Sequence, residues 1–148
     1  MTATDWDAIA RRDSFSVFQD VLVRVRDMDT QGHVNNSVIA AYLEEGRFRL
    51  LNHTIRPSLD VSAIGGFVVA EQIIRYLREI REAGMLQVGT RVERIGNSSF
   101  VMGQGLFSGD TCLATAQLTM VHIGKVSRKG ERVSDAFRTA LEAYMSKG

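Results

Sequence analysis

The stretch Arg26-Asp27-Met28-Asp29-Thr30-Gln31-Gly32-His33-Val34-Asn35-Asn36 crowds two carboxylates, an imidazole and three amides into eleven positions. It stands where an alternating apolar segment gives way to a long segment of helical spacing. Each residue alone has an ordinary role: Asp29 or Thr30 can cap a turn, Gly32 can supply a positive φ, and Asn35 or Asn36 can start a helix. Together they make a reactive grouping. The start of a buried helix offers unpaired N–H groups and the positive end of a dipole, a seat for a developing oxyanion, with the N–H of Asn36 as the candidate donor. A carboxylate a few residues upstream can act as nucleophile, or as base for water, on a carbonyl held there, which is acyl-transfer chemistry. Asp29, nearer the turn, is chosen over Asp27, which is placed at a strand end beside Arg26.

Glu45 is the second anomaly, because helical spacing puts it on a face with Val34, Val38, Ala41 and Phe48, where an unpaired carboxylate is costly. It either pairs with Arg47, Arg49 or a backbone group, or it takes part in the chemistry. His33 can be a general base or a structural histidine at the helix start. Asp27, Asp29 and His33 are of metal-ligating types, but no second cluster completes a ligand set, and no metal is expected. Cys112, the only cysteine, has no nearby histidine and is read as core filler.

The elements that must position these groups follow from periodicity. Phe15, Val17, Val21, Val23 and Val25 mark a first strand between Phe15 and Arg26. Val34 to about Leu51 reads as one long helix, apolar nearly all round and therefore buried, with Ile39, Leu43, Gly46 and Leu50 opposite the Glu45 face. After a loop around Pro57 to Gly66, strands are predicted at Phe67–Ile80, Leu86–Arg94, Ser99–Ser108 and Thr111–Ile123, joined by hairpin-type breaks, so the sheet is antiparallel. Ser134 starts a short C-terminal helix within 134–148, and 1–13 reads as an N-terminal extension. The whole chain, 1–148, is one α+β domain: a long buried helix against a curled sheet of about five strands. One such sheet cannot cover the helix on every side, so at least a homodimer is expected.

Composition sets the outer bounds. With 148 residues, 45% hydrophobic and 24% charged, the chain is an ordinary globular domain rather than a disordered or fibrous one. The formal net charge is +1 and the basic residues are scattered, against a nucleic-acid footprint. A single cysteine fits a reducing compartment, and neither an apolar leader nor a membrane span is visible, so a cytoplasmic location is expected and no membrane partner.

The run Asp29-Thr30-Gln31-Gly32-His33-Val34-Asn35-Asn36, with Tyr42-Leu43-Glu44-Glu45-Gly46-Arg47 downstream, closely resembles the hotdog-fold acyl-CoA thioesterases of the 4-hydroxybenzoyl-CoA thioesterase family. It is most similar to the long-chain acyl-CoA thioester hydrolase branch, and also to plant acyl-carrier-protein thioesterases. Phe67-Val68-Val69-Ala70, Ile74-Arg75-Tyr76-Leu77-Arg78 and Arg94-Ile95-Gly96-Asn97-Ser98-Ser99-Phe100 extend the likeness over about Phe15 to Ile123. The resemblance implies a hotdog fold, a dimer or tetramer with sites at the subunit interface, and hydrolysis of an acyl-CoA thioester without a cofactor, coenzyme A being part of the substrate. It implies Asp29 as the catalytic carboxylate, the Asn36 N–H as carbonyl polariser, and His33 and Glu45 as helpers. Arg75, Lys125, Arg128 and Lys129 become candidates for the coenzyme A phosphates, and Ser98 and Ser99 for pantetheine. Two other readings stand beside this one: an enoyl-thioester hydratase, and a non-catalytic acyl-thioester binding module.

Overall fold

A computed structural model describes residues 4–59 and 66–145. Its elements run α1 (Trp6–Ile9), β1 (Phe18–Val23), α2 (Asn36–Arg49), β2 (Gly66–Tyr76), β3 (Gly84–Ile95), β4 (Ser99–Ser108), β5 (Thr111–Ile123) and α3 (Asp135–Glu142). The five strands form one antiparallel sheet in the order β1-β3-β4-β5-β2, so β1 and β2 are its two edges. This is the α+β arrangement expected from the sequence. Part of the loop expected around Pro57 to Gly66, and the last three residues of the C-terminal segment, lie outside the described residues.

The inner face of the curled sheet collects every second residue of its strands, the period that a strand imposes. Leu86 and Val88 of β3, Leu106 of β4 and Ala114 and Ala116 of β5 pack with Val21 and Val23 of β1 against Ile39, Tyr42 and Leu43 of α2. A second cluster continues the same face under the far end of the helix, where Leu50, Leu51 and Ile55 meet Val92, Phe100, Met102, Leu118 and Met120, with Phe137 and Leu141 of α3. The helix lies close to the sheet at Gly46: a Cβ built there would stand 2.5 Å from Cγ1 and 2.7 Å from Cβ of Val88. Three residues earlier, the Leu43 carbonyl accepts from the fully buried Gln104 side chain at 2.9 Å, and the same amide donates to Thr90 Oγ1 at 3.0 Å. A polar side chain in that core is tolerable because its donors are used.

Besides the second strand, which ends at Tyr76 rather than Ile80, three expectations change. The first strand begins at Phe18 rather than Phe15, because Arg12–Ser14 forms a 3-10 turn and Phe15 goes to the outer face, edge-on to Phe18 and Phe107. The segment read as an N-terminal extension supplies α1, whose Ile9 is buried in that outer cluster, over the glycines at 103 and 105. The third change concerns α2. Only Ile39, Tyr42, Leu43, Gly46, Arg47 and the following Leu50 are buried, whereas Ala41, Glu44, Glu45 and Phe48 are exposed. A single sheet covers a single side of a helix. Edge strand β2 is also open, with Val68, Val69 and Ile73 each more than 40% exposed. No helix among the described residues is long and apolar enough to cross a membrane.

Gly46→Ala tests the close approach. Alanine gains roughly 1 kcal/mol of helix propensity over glycine, but forcing its methyl into Val88 costs typically about 1–3 kcal/mol. The expected result is net destabilisation in urea unfolding, recovered when Val88→Ala is added.

Candidate active site

The site is built where β1 leaves the sheet. Residues Val25–Asp27 make a 3-10 turn in which Asp27 Oδ2 accepts the Arg24 N–H at 3.0 Å and the Tyr42 hydroxyl at 2.6 Å. The tyrosine comes from the middle of α2, so this pair ties the turn to the helix. The Tyr42 hydrogen bond holds the Asp27 carboxyl below its ordinary range, with the Arg24 N–H adding to it. Burial, then the bond to Asp27, pushes the Tyr42 phenol far above its own.

From Met28 the chain doubles back on itself. The Asp29 N–H donates to the His33 carbonyl at 2.9 Å, the Gly32 N–H to the Asp29 carbonyl at 3.1 Å, and Met28 pairs with Val34. Gly32 sits at φ +82°, the left-handed conformation that glycine adopts without penalty. Within this turn Asp29 Oδ1 accepts the Gln31 N–H at 2.8 Å, while Oδ2 lies 3.6 Å from His33 Nδ1. Both side chains are about three-quarters shielded, at 26% and 22% exposure. His33 Nε2 approaches Gln31 Oε1 at 3.3 Å.

Helix α2 begins at once. Asn35 is its N-cap, its side-chain oxygen accepting from the Ser37 N–H at 2.9 Å and the Ser37 hydroxyl at 2.7 Å. Asn36 is the first helical residue, so its N–H has no acceptor within the helix. The Val34 N–H donates to the Ile80 carbonyl at 2.8 Å, bringing the segment after β2 against the helix start. Between them lies a cavity of about 280 Å³, lined by His33, Val34, Asn36, Ile39, Tyr76, Leu77, Arg78 and Glu79. Asp29 is not in its wall; it reaches the cavity through His33.

The other candidate residues lie elsewhere in the chain. Glu45 projects from the open side of α2, 53% exposed, with Oε1 3.6 Å from Arg49 Nη2. It stands nine residues past Asn36, about 13 Å along the axis at 1.5 Å per residue. Arg75 is on the outer sheet face, its guanidinium 3.9 Å from the centre of the Trp6 ring. Ser98 and Ser99 are at the β3–β4 turn, and Lys125, Arg128 and Lys129 are exposed in the loop after β5. These five belong to the sheet end where Gly66 pairs with Ile123, whereas the cavity lies at the end where Tyr76 pairs with Ala114. The 11-residue strand between those ends spans about 33 Å. Sequence spacing brought Asp29, His33 and Asn36 together because they share one turn. It missed Tyr42, Tyr76 and Glu79, which arrive by tertiary contact. Among the described residues no group of three metal-ligating side chains occurs.

The Asp27–Tyr42 pair predicts a pH-dependent share of stability. A folded carboxyl below its ordinary 3.8 contributes above that pH and is lost as pH falls through the folded value; a phenol raised above its ordinary 10.0 contributes below that pH and is lost at higher pH. Tyr42→Phe is therefore expected to destabilise the protein at neutral pH, and the gap from wild type in urea unfolding should shrink below about pH 4.

The comparisons with known proteins bear on the fold and the family. The YsmA protein of Bacillus subtilis (strain 168) is 31% identical over 134 residues, 86% of this chain and 86% of YsmA. The crystal structure of a thioesterase from Thermus thermophilus, complexed with coenzyme A and Zn, is 29% identical with a TM-score of 0.75, over 89% of this chain and 96% of that one. That of the PA5185 protein from Pseudomonas aeruginosa PAO1 is 27% identical with a TM-score of 0.77, over 93% and 97%. A family model, described as the thioesterase-like superfamily, matches residues 23–141. With a five-stranded antiparallel sheet curled about a long helix, and a match of that extent, the chain belongs to the thioesterase-like superfamily and has its hotdog fold.

Proposed function

We propose that this protein hydrolyses acyl-CoA thioesters to the free acid and coenzyme A. The observation that carries the reading is that His33 and Asn36 line one cavity at the start of α2, with the Asp29 carboxylate 3.6 Å behind the His33 ring. A thioester suits so small an apparatus, because its carbonyl is already activated and thiolate leaves readily. The carbonyl oxygen accepts from the Asn36 N–H at the positive end of the helix, where the tetrahedral oxyanion is stabilised. With Asp29 as general base, water gives its proton to the carboxylate and adds to the carbonyl carbon. Collapse then breaks the C–S bond, and the thiolate takes a proton to leave as coenzyme A. With Asp29 as nucleophile, its carboxylate adds to the carbonyl carbon and the C–S bond breaks, the thiolate taking a proton to leave as coenzyme A; water then cleaves the anhydride to the free acid and the Asp29 carboxylate. Neither course needs a cofactor. The choice of coenzyme A as carrier is supported by the Thermus thermophilus thioesterase that carries it.

A second assignment of roles is favoured by the lining of the cavity: His33 is in the wall and Asp29 stands behind it. In that scheme His33 is the base and Asp29 orients its ring.

The reading includes a second copy of the chain. Edge strand β2 exposes Val68, Val69 and Ile73 and an unpaired row of backbone groups, beside the open side of α2 with Ala41 and Phe48. Such an edge is a template for pairing. A two-fold axis through β2 pairs it with its copy antiparallel. The start of the partner's β2 then lies along the end of this one, and the partner's Ser98, the partner's Ser99 and the partner's Lys125 approach the cavity. A dimer, or a tetramer built as a dimer of dimers, thereby joins the two sheet ends that one chain keeps apart.

Thiol release over short, medium, long and aromatic acyl-CoA substrates tests the activity. Asp29→Asn should cut kcat/KM by more than about 10²-fold with the fold intact. His33→Ala separates the role assignments: a loss as large as that of Asp29→Asn makes His33 the base, and a loss of less than about tenfold leaves Asp29 as the reacting carboxylate. Hydration of an enoyl-CoA without thiol release would replace the reading with a hydratase, and tight acyl-CoA binding with no turnover would replace it with a binding module. Light scattering should give at least a dimer; Ile73→Asp, which puts like charges across the proposed axis, should yield monomers with lost activity.

A further inference from the structure

At the other end of α2 is a crevice of about 340 Å³ that shares no residue with the cavity at Asn36. Its polar lining is Glu44, Arg47, Asn52 and Arg56, and its apolar lining includes Phe48, Leu51, Phe67, Val69 and Met120. Arg47 is the unusual member. Its side chain is only 6% exposed, yet its one ion-pair partner among the described residues is the 72% exposed carboxylate of Glu44, 3.5 Å from Nη2. Nη1 is buried with no hydrogen-bond partner among the described residues. Burial pulls the Arg47 pKa down, the mark of a charge short of compensation. A buried guanidinium with an idle donor costs free energy unless something else satisfies it.

We propose that this crevice is a second binding site, for a small organic carboxylate with an apolar body. Arg47 Nη1 donates to the carboxylate, the planar acceptor that a guanidinium matches best. Arg56 lines the same crevice, its Nη1 donating to Asn52 Oδ1 at 3.2 Å, so among the described residues two guanidiniums and one carboxylate, that of Glu44, line it, which favours one further negative charge. The aromatic and aliphatic walls take the hydrocarbon, at the margin of the flank proposed to meet a second copy, to which Phe48 and Val69 also belong. At roughly 30 Å³ per heavy atom, the crevice holds about ten atoms besides hydrogen, the size of octanoate. Such carboxylates are the class of product that thioester hydrolysis releases, but the site is separate from the reacting groups and stands without the catalytic reading.

Titration calorimetry with octanoate tests the proposal, using octan-1-ol as the uncharged control. One octanoate per chain is expected to bind, with octan-1-ol giving no saturable heat. Arg47→Met, which keeps the buried bulk and removes the charge, should weaken binding by at least about tenfold, as for loss of a charge-assisted hydrogen bond. Arg56→Gln, at a half-buried position that does not threaten the fold, should weaken it several-fold and serves alone if Arg47→Met unfolds. Asp29→Asn should leave octanoate binding unchanged. The proposal is overturned if wild type takes up no octanoate at millimolar concentration, if neither arginine variant alters the affinity, or if Asp29→Asn abolishes binding and so places the ligand in the other cavity. It is equally overturned if octanoate fails to bind while Arg47→Met lowers the oligomeric mass, because a carboxylate of a second copy would then occupy the site.

Discussion

The seating of α2 on the inner face of the sheet is the constraint from which the rest follows. Gly46 lets the helix backbone come within van der Waals reach of Val88, and Gln104 reaches up from β4 to hold the Leu43 carbonyl. One contact sets the depth of the helix and the other its position along the sheet. With both set, the amino end of α2 can only emerge beside the segment that leaves β2, where the Val34–Ile80 hydrogen bond closes the join. The cavity at Asn36 is what remains between them. Its electrostatic character comes from the same seating, since an unpaired helix-end N–H is effective only where water is partly excluded.

The turn that carries Asp29 and His33 is short, polar and partly shielded, and a segment of that kind holds its shape only if it is tied down on both sides. The Asp27–Tyr42 bond ties it to the helix, and the Met28–Val34 pairing ties its two arms to each other. Asp29 is engaged twice within the turn, through the Gln31 N–H and beside His33. A carboxylate so held is oriented before any substrate arrives, which is the condition under which a single group can contribute strongly to catalysis.

The open side of the molecule is as informative as the packed side. The exposed stripe of α2 and the unpaired edge of β2 adjoin one another, so apolar surface and unsatisfied backbone fall on one flank. Of the residues expected to hold coenzyme A, Ser98, Ser99, Lys125, Arg128 and Lys129 stand at the far end of the sheet from the cavity, a separation that no rotamer change within one chain can close. The buried Arg47, with a donor left unused among the described residues, shows that the far end of the helix has polar needs of its own.

The sequence alone determined the element order, because alternation over β1 to β5 and helical spacing over α2 are local signals that a strand or a helix imposes on its own residues. It also determined the turn chemistry: Asp29, Gly32, His33, Asn35 and Asn36 are so close along the chain that any fold placing a helix after them must group them. It misread the extent of burial of α2, the start of β1 and the part played by residues 6–9. Those depend on how many strands cover a helix and on which glycines admit a neighbour, and neither is a local property. Tertiary structure alone decided that Tyr42 would anchor Asp27, that Glu45 would pair with Arg49 on an open face, and that Arg47 would be buried half-satisfied. Each is settled by which side of one helix meets the sheet, and helical spacing offers two apolar sides without saying which one the sheet will take.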